Sequence, residues 1–233
     1  MQYPNEHIIQ QVDEVANRIL SEQRTNHHRD KFFPALIDSL NLKTGAEIGV
    51  DKGEFSCHIL EKSSIERYYC IDTWQDDFGS DHRPDAYDPL GDNRLTIAKQ
   101  NLSNHLAAKR VALMRMTSLE AAQKFPKESI DFCYIDGDHS LEGIYSDIKA
   151  WLPKVKIGGI IAGHDYKDGP DSGIKGFDGK QLPYRIKTVV DDYCVRYGYS
   201  VNSVGGRILS WWFVKNQPAK DDVNLHLLEN PGE

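Results

Sequence analysis

A chain of 233 residues with 35 acidic and 28 basic side chains, formal charge −7, fits one α/β domain with an appended helix and is long enough to bury a substantial core. The negative balance sets nucleic acid aside as the default partner, because phosphate binding wants a basic face, and no apolar stretch is long enough to span a bilayer. Hydrophobic and charged shares of 39% and 27% are ordinary for a soluble protein.

The first residues lack the basic-then-apolar layout of a signal peptide. Ile8, Val12, Val15, Ile19 and Leu20 fall instead at helical spacing, which predicts an amphipathic helix, and the cytosol is the expected location. Cys57, Cys70, Cys133 and Cys194 form no CxxC pair. Cys70 and Cys133 lie inside apolar runs, so buried free thiols are expected rather than disulfides or a zinc site.

A polar connection, RTNHHRD, leads to a second helix over 31–40. His27-His28-Arg29 reads first as a solvated surface turn, with substrate contact as the alternative. From Ala46 onward strands and helices alternate: AEIGV, a helix over 54–61, RYYCIDTW, a long acidic loop over 75–92, a helix over 93–107, VALMRM, and a short helix from Ser118. DFCYID, a helix over 141–152 closed by Pro153, GGIIAGHD, a Gly/Asp/Lys-rich loop over 166–180 and a helix over 184–197 follow. YSVNSV, Gly205-Gly206 and RILSWWFV read as a hairpin. This order predicts a mostly parallel sheet with an antiparallel strand near one edge. Residues 1–45 are read as a helical segment on the substrate side, 46–216 as the core and 217–233 as a loose tail.

Two strands end in ionisable groups. In a parallel sheet, strand carboxyl ends line the ligand crevice, which would gather Asp136, Asp138, His139, His164 and Asp165 at one rim. Either Asp136 or Asp138 could instead merely cap the helix beginning near Ser140. Upstream, Gly49 and Gly53 have G-x-x-x-G spacing. A dinucleotide loop wants a further glycine where Asp51 stands, and Asp51 would repel a pyrophosphate. A cationic cofactor without phosphates suits the loop better. Asp72, at the next strand end, is placed to accept ribose hydroxyls. Glu47, inside an apolar strand, needs a partner: a cofactor amino group or a basic side chain.

EIGVDKGEFS, CIDTW, MTSLEA, the segment DFCYIDGDHSLEGIYSDIKAWLPKVKIGGIIAGHDY and the final hairpin resemble class I S-adenosylmethionine-dependent methyltransferases. The likeness runs from about Ala46 to Val214. Within that superfamily they are similar to small O-methyltransferases: metal-dependent sugar enzymes of the macrocin type and, more distantly, caffeoyl-CoA and catechol enzymes. The resemblance implies a Rossmann-like α/β fold, with a seven-stranded mostly parallel sheet, a C-terminal antiparallel hairpin and helices on both faces. It implies S-adenosyl-L-methionine bound by Glu47, Gly49, Gly53 and Asp72, with Thr117 and Ser118 flanking the adenine and Asp136 at the cofactor's edge.

Asp136 matches the family's first metal-ligand Asp, and His164-Asp165 fills the slot where relatives carry an acidic pair or Asp-Asn. Asp136, His164 and Asp165 are thus the metal candidates. Oxygen ligands suit Mg²⁺, Mn²⁺ or Ca²⁺, and an imidazole tilts the site towards Mn²⁺, Fe²⁺ or Zn²⁺. His139 is the expected general base, with Asp138 second. The function expected is O-methylation of a small polar metabolite or sugar, with no nucleic-acid or membrane partner, and with a homodimer allowed. Alternatives are a non-haem metal oxygenase using His139, His164 and a carboxylate, an NAD-dependent oxidoreductase, and a non-catalytic cofactor-binding module.

Overall fold

The computed structural model describes residues 5–22, 28–75, 92–170, 180 and 183–219. Two helices lead, α1 (Glu6–Glu22) and α2 (Arg29–Ser39). In α1 the expected stripe turns inward, with Val12, Ala16 and Ile19 buried. In α2, Phe32, Phe33, Leu36 and Ile37 are fully buried. The Phe33 ring packs edge-on against Tyr134 and Phe55, with centroids 5.4 and 6.3 Å away. The leading helices are therefore anchored in the core.

The alternating part follows as β1 (Thr44–Ile48), α3 (Glu54–Lys62), β2 (Arg67–Asp72), α4 (Asp92–Asn101), α5 (Ser103–Ala107), β3 (Val111–Arg115), α6 (Ser118–Ala122), β4 (Ile130–Ile135), α7 (Leu141–Trp151) and β5 (Val155–Gly163). A two-residue pair, β6 (Asp168–Gly169) and β7 (Tyr184–Arg185), precedes α8 (Ile186–Tyr197) and the hairpin β8 (Asn202–Gly205) with β9 (Leu209–Val214). Seven strands form one sheet in the order β3-β2-β1-β4-β5-β9-β8. The first five are parallel, and β9 pairs antiparallel with both β5 and β8. The mostly parallel seven-stranded sheet with a terminal hairpin, expected from the motifs, is the fold.

Strand alternation divides the core into two layers. Ala46 and Ile48 of β1 pack with α7 and α8, while Phe132 and Tyr134 of β4 pack with α2 and α3. Trp211 and Trp212 are buried, one on each face, so their role is packing. Cys70, Cys133 and Cys194 are buried free thiols, and Cys57 is half-buried and free.

Three details depart from the sequence reading. The helix over 93–107 breaks at Leu102, whose backbone (φ −98, ψ 8) leaves the helical range. Leu102 is fully buried and packs so close to Gly53 that a Cβ there would meet its Cδ1 at 3.1 Å; packing, not a Gly or Pro signal, sets the break. β5 begins at Val155 rather than Gly158, and the β6–β7 pair had no sequence signal. Among the described residues no helix is long and apolar enough to cross a membrane. His27 and most of the loops at 75–92 and 166–180 fall outside the described residues, as do residues 220–233 of the tail.

The sheet order reverses between β1 and β4, since β2 and β3 extend to one side of β1 and β4 and β5 to the other. In such sheets ligands bind outside the carboxyl ends at this switch point.

Candidate active site

At the tip of β1 the chain turns through Gly49, with φ +82. A Cβ there would lie 2.1 Å from the Asp136 carbonyl oxygen, so only glycine lets the two strand ends abut. The amide of Gly49 donates to Ile71 O at 2.9 Å, and that of Asp136 to Ile48 O at 2.7 Å. Gly53, also left-handed at φ +75, is the N-cap of α3. Both glycines thus serve the turn from strand to helix.

Asp72 locks this turn. Its Oδ2 accepts from the amides of Val50 and Asp51 at 2.8 and 2.9 Å, and its Oδ1 accepts from Trp74 at 2.7 Å. A carboxylate oxygen has room for more than one donor, so the side chain that shapes the loop also keeps acceptor capacity towards the cavity beside it. That cavity, about 440 Å³, is lined by Ile48, Gly49, Ile71, Asp72, Thr73, Gln75, Met116, Thr117, Ser118, Leu119, Asp138, Glu142, Gly143, Ser146 and Asp147. Its volume suits a small-molecule ligand. None of these lining residues is basic, whereas four are carboxylic acids.

Thr117 and Ser118 stand on the cavity wall with structural duties. Thr117 caps α6 in a reciprocal capping box with Glu120. The Ser118 hydroxyl accepts from Trp151 Nε1 at 2.9 Å. Asp147, 5% exposed, has its carboxyl pushed up to about 7 by burial, against a Ser118 hydrogen bond that lowers it and with the Asp138 charge adding to the rise.

Glu47 lies elsewhere. It is 2% exposed, is not on the cavity wall, and accepts from the Ser56 hydroxyl at 2.6 Å and from Tyr68 at 3.3 Å. Burial drives its carboxyl up to about 8, although Ser56, Arg29 and Tyr68 oppose the rise. Among the described residues two hydroxyls, rather than a directly paired base, satisfy it.

The five rim residues do converge. His139 Nε2 stands 3.6 Å from Asp136 Oδ1 and 3.6 Å from Asp165 Oδ2. His164 Nδ1 lies 3.2 Å from Asp165 Oδ2 and 3.7 Å from Asp136 Oδ2. Asp165 follows β5 in the left-handed region, φ +53, a conformation that Asp tolerates better than most residues. Burial alone would raise the Asp165 carboxyl, but a hydrogen bond and charge from His164, with Tyr184 and His139 adding, hold it at about 2. Burial would likewise lower His139; Asp136, Asp165 and Asp138 outweigh it, and its pKa is raised. The imidazole stacks on Tyr184, centroids 4.9 Å apart and planes 16° apart.

Capping does not account for this rim. Ser140 caps α7 by accepting from Gly143, and Asp138 Oδ1 accepts from the Ser140 amide at 2.7 Å. Asp138 is thus partly committed to the turn while Asp136 is not used there. Asp136 is instead bound by Arg29, which the sequence reading placed first on a solvated turn. Arg29 Nη1 reaches Asp136 Oδ2 and the Tyr134 hydroxyl, both at 3.0 Å. Its guanidinium lies 4.8 Å above the Phe55 ring centre. Nothing in the local sequence marks this contact, since the partners are 107 residues apart. Its neighbour His28 does behave as a surface residue, capping α2.

A carboxylate-lined cavity at the switch point of a hairpin-ended seven-stranded sheet defines a class I methyltransferase architecture. Residues 46–166 match the family model described as a methyltransferase domain. The chain belongs to this methyltransferase family, of the S-adenosylmethionine-dependent class. No curated protein sequence matches the chain.

Solved structures show the same fold at low identity. An O-methyltransferase from Bacillus cereus in complex with SAH is 17% identical, covering 92% of this chain and 94% of that one, with a TM-score of 0.56. A Staphylococcus aureus protein assigned as a caffeoyl-CoA O-methyltransferase is 16% identical over 87% and 91% of the two chains, TM-score 0.58. A Klebsiella pneumoniae protein assigned as an O-methyltransferase is 15% identical over 92% of each, TM-score 0.55.

Proposed function

We propose that the protein is an S-adenosylmethionine-dependent O-methyltransferase acting on a hydroxyl of a small polar metabolite or sugar. The observation that carries this reading is the junction at Gly49, where the wall of an acidic cavity meets the backbone of Asp136. A sulfonium cofactor seated there would have its positive centre among carboxylates and its methyl group near the rim. The acidic lining also disfavours a pyrophosphate, which counts against an NAD-dependent reaction. Buried free thiols support a reducing cytosol as the location.

When bound, S-adenosylmethionine would supply a methyl carbon to the acceptor oxygen, its carbon–sulfur bond breaking with the electron pair kept on sulfur as a neutral thioether, and a base of this chain would take the hydroxyl proton. The sulfonium is already a good leaving group, so alignment supplies most of the catalysis. His139 is the base: two flanking carboxylates favour its protonated form. Asp138 stands second because one of its oxygens serves the turn.

The rim is also suited to a divalent cation such as Mg²⁺, Mn²⁺ or Ca²⁺. Asp136, His139 and Asp165 offer three donor atoms within 4.8 Å of one another. His139 Nε2 is buried without a hydrogen-bond partner, and its 3.6 Å spacing to each carboxylate is close to that of donors sharing one ion. His164, the imidazole expected among the donors, has its Nδ1 at comparable distances from the same two carboxylates. When bound, a cation would lower the pKa of an acceptor hydroxyl. His139 Nε2 could not then take the proton, and Asp138 would.

Methyl transfer from isotopically labelled cofactor to a panel of hydroxylated acceptors, with and without chelator, tests the reading; no transfer to any acceptor contradicts it. His139→Ala should lower kcat by about 10²-fold and leave S-adenosylhomocysteine affinity unchanged. An undiminished kcat would remove His139 as base.

A further inference from the structure

The rim holds more positive charge than its histidines supply. Arg29 enters from the first turn of α2, and its side chain, 22% exposed, lies on the Phe55 ring. Nη1 donates at once to Asp136 Oδ2 and Tyr134 Oη, both at 3.0 Å. Tyr134 Oη is itself tied to the Ser210 hydroxyl at 2.9 Å. The guanidinium is therefore fixed from three sides: a ring beneath, a carboxylate ahead and a phenol beside it. Arg29 cannot lose its charge at any ordinary pH, so it is a permanent cation in direct contact with the central carboxylate of the rim.

Two consequences follow from charge and geometry. Arg29 engages Asp136 Oδ2, which also lies 3.7 Å from His164 Nδ1, and Oδ1 faces His139. A divalent ion among Asp136, His139 and Asp165 would also sit close to a like charge, and such repulsion in a half-buried site is not well screened.

We propose that Arg29 is a positioning residue that acts as the resident cation of the rim: it holds Asp136 through Oδ2 and makes the site bind divalent ions weakly. This deepens the methyltransferase reading and rests on it for its catalytic meaning, but the charge relation stands independently.

The test compares Mn²⁺ binding, by the electron paramagnetic resonance signal of free Mn²⁺, in the wild-type full chain, Arg29→Gln and Arg29→Met. Methionine keeps a long, flexible stem to lie on Phe55 without the charge. Both variants should bind Mn²⁺ more tightly than wild type by about tenfold, the size of an ordinary coupling between neighbouring sites. At the same time kcat should fall, because Asp136 is no longer held. Tighter ion binding joined to slower turnover is a pairing that general loosening of the fold does not produce.

Arg29→Lys, which keeps the charge, should hold Mn²⁺ near the wild-type level. Binding by the variants where wild type shows none also supports the proposal. Unchanged or weaker Mn²⁺ binding in a variant that melts cooperatively overturns it, as does the absence of Mn²⁺ binding in all chains, or failure of both neutral variants to fold. S-adenosylhomocysteine is titrated in parallel. Loss of its binding in wild type would refute the cofactor reading while leaving the Mn²⁺ comparison to decide on Arg29.

Discussion

The two halves of the strand-tip crevice are built by different means. At the β1 and β2 tips the backbone does the shaping: Gly49 and Gly53 turn left-handed, and the Asp72 carboxylate is held by three main-chain amides. At the β4 and β5 tips the shape comes from side chains holding other side chains: Asp136 between Arg29, His139 and His164, and Asp165 between the two histidines. A backbone-built half is rigid and has little freedom to change composition. A half made of ion pairs can alter its donors by single substitutions while the sheet beneath stays intact. A family that keeps one cofactor and varies its acceptors would be served by this division.

Substitutions can break or sharpen this contrast. The largest effect is expected inside the cavity, where burial holds the Asp147 carboxyl partly neutral. Its folded pKa, raised from 3.8 to about 7, means the folded state holds the proton more tightly than the unfolded chain. The stabilising contribution is complete below 3.8 and is lost as pH rises through about 7. Asp147→Asn should therefore gain stability relative to wild type as pH rises from about 4 to about 7, by up to roughly 4 kcal/mol, and keep that gain above it. Urea denaturation across that range checks it, and parallel profiles would be the contrary result.

Gly49→Ala comes next. A methyl group 2.1 Å from the Asp136 carbonyl, on a left-handed residue, should cost about 2–4 kcal/mol by the same measurement. A loss under about 0.5 kcal/mol would mean the two strand ends can part. The smallest effect separates a cap from a ligand contact. Thr117→Ala should lose about 1 kcal/mol of stability with its capping box, and S-adenosylhomocysteine affinity, read by calorimetry, should change little. A large fall in affinity at normal stability would instead give Thr117 a direct part in binding.

The same division explains what the sequence made readable. Glycine spacing after an apolar strand reports backbone shape directly, so the strand-to-helix turn and the parallel sheet were visible in EIGVDKGEF and its successors. The rim residues were visible as types at strand ends, because Asp136 and Asp165 follow continuous apolar runs. Which partner each would take was not. Arg29 lies within the polar run RTNHHRD and finds Asp136 only when α2 docks through Phe32 and Phe33. Glu47 carried a signal of needing a partner, but Ser56 and Tyr68 give no hint in sequence that they will supply it. The break at Leu102 has the same origin, a contact with Gly53 that no local pattern encodes.

The central claim is that an adenosine-bearing sulfonium cofactor occupies the cavity beside Asp72 with its reactive end at the Asp136 rim. A crystal structure of the protein with S-adenosylhomocysteine, accompanied by titration of Asp72→Asn, tests it most directly. The account predicts ribose hydroxyls on Asp72, sulfur near Gly49 and Asp138, and at least about a tenfold loss of affinity in the variant. A ligand bound elsewhere, or a variant that binds as tightly as wild type, would contradict it.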